Sequence, residues 1–145
     1  MKIKHLILLC FILLVGCTEP AIAGINSPIK VNGVEFIIDD VKQAPSYEVI
    51  FMKMKVYPTY PSDTFIIVKG KVIDGDVKKI NSWKSTLHWA WKGERWKSKS
   101  GVVETDPNKH TFLFVFSANA KGSDWEINIP GYGKIPLKQF LPFDR

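Results

Sequence analysis

The sequence predicts an all-β protein, an antiparallel β-sandwich of about seven or eight short strands preceded by an N-terminal signal helix. Three observations carry this reading. From Ile29 onward apolar residues recur with a period of two, not 3.6. Turn-forming clusters such as Asn32-Gly33, Asp74-Gly75-Asp76 and Pro130-Gly131-Tyr132-Gly133 separate the apolar runs. No later segment has the pattern of a long amphipathic helix. The 145 residues suffice for one domain. With 46% apolar and 23% charged residues, the composition excludes a disordered chain.

Residues 1–16 have the pattern of a lipoprotein signal peptide. Lys2 and Lys4 form a positive start, and Leu6 to Val15 is an uncharged run of 10 residues. That is half of the about 20 residues a membrane-spanning helix needs, so a cleaved signal segment is expected. The run ends in Leu14-Val15-Gly16-Cys17, which resembles the bacterial lipobox, whose cysteine is acylated after cleavage before it. Ala21-Ile22-Ala23 offers a competing small-x-small cleavage site that would release a chain beginning at Gly24. Residues 17–28 then read as the lipidated Cys17 and a proline-broken tether, and residues 29–145 as the sandwich domain. Cys17 to Ile29 spans 12 residue steps, about 40 Å when extended at about 3.4 Å each. The expected partner at this end is the lipid bilayer, through acylated Cys17.

The charge balance is 20 Lys+Arg against 14 Asp+Glu. Without Lys2 and Lys4 it is 18 against 14, or +4, too mild a bias to imply nucleic acid. Cys10 leaves with the signal peptide and Cys17 is modified or lost, so the domain is expected to rely on its core and not on a disulfide.

In chain order, Val34 to Val41 is a β-branched strand after the Asn32-Gly33 turn. Tyr47 to Tyr57 alternates, with Ile50, Met52, Met54 and Val56 on one side and Lys53 and Lys55 on the other. Two thioethers on one face invite a Cu(I) reading. Ile50 and Val56 on the same face make it a core strand instead, and no metal site is expected. Tyr57-Pro58-Thr59-Tyr60-Pro61 forces an extended connection. Thr64 to Ile73 puts Ile66, Val68 and Val72 on one face and Lys69 and Lys71 on the other.

Trp83 to Lys99 is the most informative stretch. Trp83, Leu87, Trp89 and Trp91 share parity, opposite Lys84, Thr86, His88, Ala90 and Lys92. Gly93-Glu94 suits a two-residue type II′ hairpin loop, which sets Lys92 opposite Arg95 and Trp91 opposite Trp96. One face then carries Trp89, Trp91 and Trp96. The other carries the candidate partner-binding residues His88, Lys92, Arg95, Lys97 and Lys99, with Trp96 beside them as an aromatic surface. Aromatic faces stack on sugar rings, and cations engage phosphate or carboxylate. The competing expectations are a buried tryptophan core and a solvated basic surface that discourages edge pairing.

After the Asp106-Pro107-Asn108 turn, Thr111 to Ser117 is apolar on both faces. This implies a central strand with a covered outer face, or a partner surface. Trp125 to Ile129 is a strand, and Lys134 to Leu137 an edge strand interrupted by Pro136. The lipobox and tether, the opening Val31-Asn32-Gly33-Val34 with Phe36, Phe65-Ile66-Ile67-Val68-Lys69-Gly70-Lys71-Val72 and the closing Phe112-Leu113-Phe114-Val115-Phe116 with Trp125 to Gly131 resemble a group of bacterial lipoprotein domains. These have an immunoglobulin-like fold akin to the immunoprotective extracellular antigen. The resemblance covers roughly residues 29–140, implies an immunoglobulin-like sandwich, and carries no catalytic residues. Asp74 stands where that group often has Asn.

No catalytic constellation is legible. His88 and His110 are the domain's histidines, and there is no Gly-x-Ser-x-Gly, His-Glu-x-x-His or P-loop. The expected function is therefore a membrane-anchored, extracytoplasmic, non-catalytic binding module of the bacterial envelope, with no cofactor. Its expected partner is an envelope protein or an anionic envelope polymer. A periplasmic immunity-type inhibitor of a toxin or hydrolase is the alternative, followed by a metal handler or an enzyme.

Overall fold

The computed structural model describes residues 26–138. The expected signal helix, the Ala21-Ile22-Ala23 site, Cys17 and most of the tether lie outside the described residues, as does the chain from 139 onward. Among the described residues are eleven strands: β1 (Ile29–Val31), β2 (Val34–Ala44), β3 (Tyr47–Val49), β4 (Met54–Val56), β5 (Asp63–Asp74), β6 (Thr86–Trp91), β7 (Glu94–Ser100), β8 (Val102–Asp106), β9 (Thr111–Asn119), β10 (Ser123–Ile129) and β11 (Gly133–Pro136). A 3₁₀ turn, Val77–Ser82, links β5 to β6.

The strands form two antiparallel sheets, ordered β1-β2-β5-β9-β8 and β11-β10-β6-β7, plus a separate β3-β4 hairpin. The expected all-β antiparallel sandwich is thus the observed one. Period-two alternation sends Phe36, Ile66, Val68, Phe112, Phe114 and Phe116 inward from the first sheet. Leu87, Trp89, Trp125, Ile127, Ile129 and Ile135 meet them from the second. Each such side chain contributes about 1.5–3 kcal/mol on full burial. Trp83, between the 3₁₀ turn and β6, packs against the first sheet, stacking on Phe114 at 6.5 Å and meeting Phe36 at 5.6 Å.

Two expectations change. The strand count exceeds about seven or eight, partly because Val102–Asp106 is a strand that its polar residues conceal: Glu104 and Thr105 are buried within it. Tyr47 to Tyr57, expected as one core strand, is instead the β3-β4 hairpin. The chain reverses at residues 50–53, where Lys53 adopts φ 49° and its N–H donates to the Val49 carbonyl at 3.0 Å. Ile50, Met52 and Met54 consequently lie exposed at the hairpin end and not in the core. The base of the hairpin packs on the outer face of the first sheet, where Tyr47 and Val56 cover Phe65, Ile67 and Val115. This cover explains why Thr111 to Ser117 is apolar on both faces. Lys134 and Pro136 lie on edge strand β11, as the proline requires.

Candidate functional site

The β6-β7 hairpin differs from its expected register by one residue per strand. Trp91 pairs with Glu94, Ala90 with Arg95, Trp89 with Trp96 and His88 with Lys97. The loop is Lys92-Gly93, with φ of 50° and 78°. Two consecutive left-handed residues match the right-handed strand twist, which is why a type I′ loop replaces the expected II′ one. Lys92 therefore leaves the ladder and does not oppose Arg95, and Trp91 does not oppose Trp96. The two faces survive, because the slip moves each pairing by two positions in total and preserves parity. A bulge then shifts Thr86 to Ser100, and the Leu87 N–H donates to Ser98 Oγ at 2.9 Å.

The outer face of this sheet holds the basic residues, but not as a free strip. Arg95 Nη2 reaches Glu126 Oε2 at 2.9 Å, and Lys134 Nζ reaches the same oxygen at 3.8 Å. Arg95 Nη1 also donates to the Asp124 carbonyl at 3.3 Å. Half-buried His88 pairs with Glu126 on one side and Lys97 on the other. Desolvation first, then the charges of Lys134 and Lys97, lower its pKa below the ordinary 6.5, against an opposing pull from Glu126. The neutral imidazole of His88 is thereby favoured. Lys92 lies over the Trp91 ring, its Nζ 4.7 Å from the centroid. Lys97 and Lys99 remain as exposed cations. Glu126, on β10 beside β6, is the residue that pattern reading missed.

The tryptophan face makes the more developed site. Trp89 is buried and stacks on Trp125 at 5.8 Å, an approach that Gly122 permits: a Cβ there would stand 2.6 Å from one ring and 2.7 Å from the other. Toward the hairpin loop the face emerges into solvent. Trp91 and Trp96 pack at 5.6 Å with a 58° tilt, and Trp96 is 42% exposed. Beside them lies a cleft of about 290 Å³, lined also by Tyr60, Asp63, Ser117 and Asn119. A second cleft of about 550 Å³ shares Tyr60, Asp63 and Ser117 with it, and extends along Lys99 and Tyr57 to the base of the β3-β4 hairpin. Together they form one groove. The prolines around Thr59 keep that segment out of both sheets, leaving Tyr57 and Tyr60 largely exposed on the rim.

The groove also carries polar side chains, among them Thr59, Ser62, Asp63, Ser100, Ser117 and Asn119. Ser117 Oγ donates to Asp63 Oδ2 at 3.2 Å. The buried indole N–H of cleft-lining Trp89 has no hydrogen-bond partner, a rare condition for a buried donor. Among the described residues, no group of three His, Cys, Asp or Glu side chains is placed to hold a metal ion. Of the residues singled out from sequence, the structure joins Trp96 and Lys99 to the groove, sets Lys92 at its end over Trp91, and turns His88, Arg95 and Lys97 to the opposite face. Tyr60 and Asp63 were missed, since they approach the tryptophans only through the fold. Compared with known protein families, curated proteins and solved structures, the chain finds no match.

Proposed function

We propose that this protein is a lipid-anchored component of the bacterial envelope, held to the bilayer by acylated Cys17, that binds an envelope polymer non-catalytically. The observation that carries the reading is the groove with Trp91, Trp96 and Tyr60 on its walls. Flat aromatic faces match the C–H faces of sugar rings, and the Asp63-Ser117 pair supplies hydrogen bonding. Lys99 along the groove and Lys92 at its end favour a glycan carrying carboxylate or phosphate. The sandwich architecture is consistent with the likeness to immunoglobulin-like lipoprotein domains.

Two measurements test this. Radiolabelled palmitate should label the wild type and not Cys17→Ala; equal labelling, or none in either, removes the anchor. Soluble anionic glycan fragments from cell-wall digests should quench intrinsic tryptophan fluorescence. Trp96→Ala should weaken that binding about two- to tenfold, since a stacked aromatic contributes about 0.5–1.5 kcal/mol. Binding indifferent to Trp96→Ala would move the ligand elsewhere.

A further inference from the structure

The end of the β3-β4 hairpin is unusual for a water-facing turn. Ile50, Phe51 and Met52 are consecutive and 38%, 71% and 67% exposed, and Met54 beyond them is 52% exposed. Isolated apolar side chains on a surface are ordinary, but four at the end of one exposed turn form an apolar patch. The clefts beside the hairpin are lined by Tyr47, Glu48, Lys55 and Val56 and not by these four residues, so the patch suits insertion into a soft medium better than capture of a ligand. Lys53 lies inside the patch and Lys55 follows it, both exposed; Glu48 is the acidic residue of the hairpin, opposite Lys55. Cations mixed with Phe, Ile and Met are the composition of an interfacial segment facing anionic headgroups.

We propose that this tip inserts into the headgroup region of an anionic bilayer, as a second membrane contact beside the lipid anchor; the proposal rests in part on the anchored reading above. The hairpin is built to bear such a contact. Its base packs on Phe65 and Val115, and the Ile50 N–H donates to buried Glu104 Oε2 at 2.9 Å, tying the tip to β8. The reach also closes. Asn26 bonds to Ile38 of β2 at 3.1 Å, next to edge strand β1, while the tip lies by β8 at the opposite edge. Those edges are four strand spacings apart, about 19 Å. Cys17 to Asn26 is nine residue steps, up to about 30 Å. A chain anchored at Cys17 can therefore lay its hairpin on the same leaflet.

The test uses the full chain with Cys10→Ser, reconstituted in phosphatidylglycerol-containing vesicles that carry a headgroup-level nitroxide lipid. An environment-sensitive thiol dye is placed at Lys53→Cys or, for comparison, at Lys97→Cys. Quenching at position 53 should exceed that at 97 at least threefold. Phe51→Ser with Met52→Ser should abolish the excess, and because both side chains are exposed the fold stays intact. The parent without an added cysteine separates the two readings. Dye uptake by that parent shows a free Cys17 and overturns the anchor, as does a mass that shows the mature chain beginning at Gly24; any parent signal is then subtracted and the hairpin still judged at position 53. Equal quenching at 53 and 97, or an excess untouched by the double serine change, overturns the hairpin proposal and leaves the patch to a protein partner.

Discussion

Replacing Glu104 should release the β3-β4 hairpin while leaving the sandwich folded. Glu104 is 8% exposed, and its Oε2 accepts the Ile50 N–H at 2.9 Å, across 54 residues of chain. A hydrogen bond to a charged acceptor contributes about 1.5–3 kcal/mol. Taking about 2 kcal/mol, Glu104→Ala should raise the population of open hairpin about 30-fold. Glu104→Gln keeps an acceptor but loses the charge, roughly half the strength, for about a fivefold rise. Trypsin reads this directly, because Lys53 and Lys55 sit in the hairpin and cleavage requires the segment to open. With dilute protease the rate tracks the open population. The urea midpoint should move far less than the cleavage rate, since the hairpin packs on the small outer cluster and not on the main core. Tyr47 supplies a second readout. Its pKa is raised from 10.0 by burial and then by Glu104, so Glu104→Gln should lower it partway. Cleavage of the alanine variant at the wild-type rate would refute the latch. So would an equal acceleration at sites throughout the sandwich, which would mean Glu104 supports the whole fold.

Three further outcomes are expected. Gly122→Ala puts a methyl 2.6 Å from Trp125 and 2.7 Å from Trp89, and should cost about 1–3 kcal/mol by urea denaturation and alter the near-UV dichroism of the pair; an unchanged midpoint would show that the stack yields freely. His88 has a folded pKa below the ordinary 6.5, so around and below that pH the unfolded chain binds more protons than the native one. Stability should fall as pH drops through 6.5 toward the folded pKa, and His88→Gln should remove that part of the slope in pH-dependent urea melts. Lys92 sits at φ 50°, where a β-branched residue is strained by about 1–2 kcal/mol. Lys92→Val should therefore be less stable than Lys92→Asn in thermal melts, whereas the reverse order would restore Lys92 to the ladder.

The division of the tryptophan hairpin into an aromatic and a basic face was legible in sequence because parity does not depend on register. The loop was not. Gly93-Glu94 suits a II′ turn as sequence, and lysine at a left-handed position gives no local warning; the twist of the paired strands decides. The β3-β4 turn was hidden for a related reason. Ile50 to Lys53 contains no Gly, Pro, Asn or Asp, and the alternation runs straight through it. What holds the turn is tertiary: the tie to Glu104 and the hairpin's fit over Phe65 and Val115. The groove was invisible because Tyr60, Asp63 and Asn119 meet the tryptophans only when the two sheets pack. The lowered pKa of His88 required its burial and Lys134, and the engagement of Arg95 required Glu126, from strands β11 and β10 that no local pattern could assign to the sheet of β6.

The cleft comes from a strand that overruns its partner, and the apolar tip from a hairpin laid over the outer face of the same sheet. β5 pairs with β9 from Thr111 to Asn119, but β8 pairs with it only from Thr111 to Val115. Beyond Val115, no strand among the described residues pairs on that side of β9. Ser117, Ala118 and Asn119 border the cleft instead, opposite the end of β6-β7 where the tryptophan face runs past the core. The β3-β4 hairpin likewise covers the apolar outer face of β5 and β9 with its base, then carries its tip to β8. The groove ends at that base, along Tyr47, Val56 and Tyr57, while the apolar tip lies three residues further, about 10 Å away. With the tip in the headgroups, the groove would sit on the order of 10 Å above the bilayer, its near end at the hairpin base. A polymer lying close to the membrane would meet Tyr57 and Tyr60 before it reached Trp96. The hairpin would thereby set the height of the groove, while the register of β6-β7 sets which aromatic faces line it.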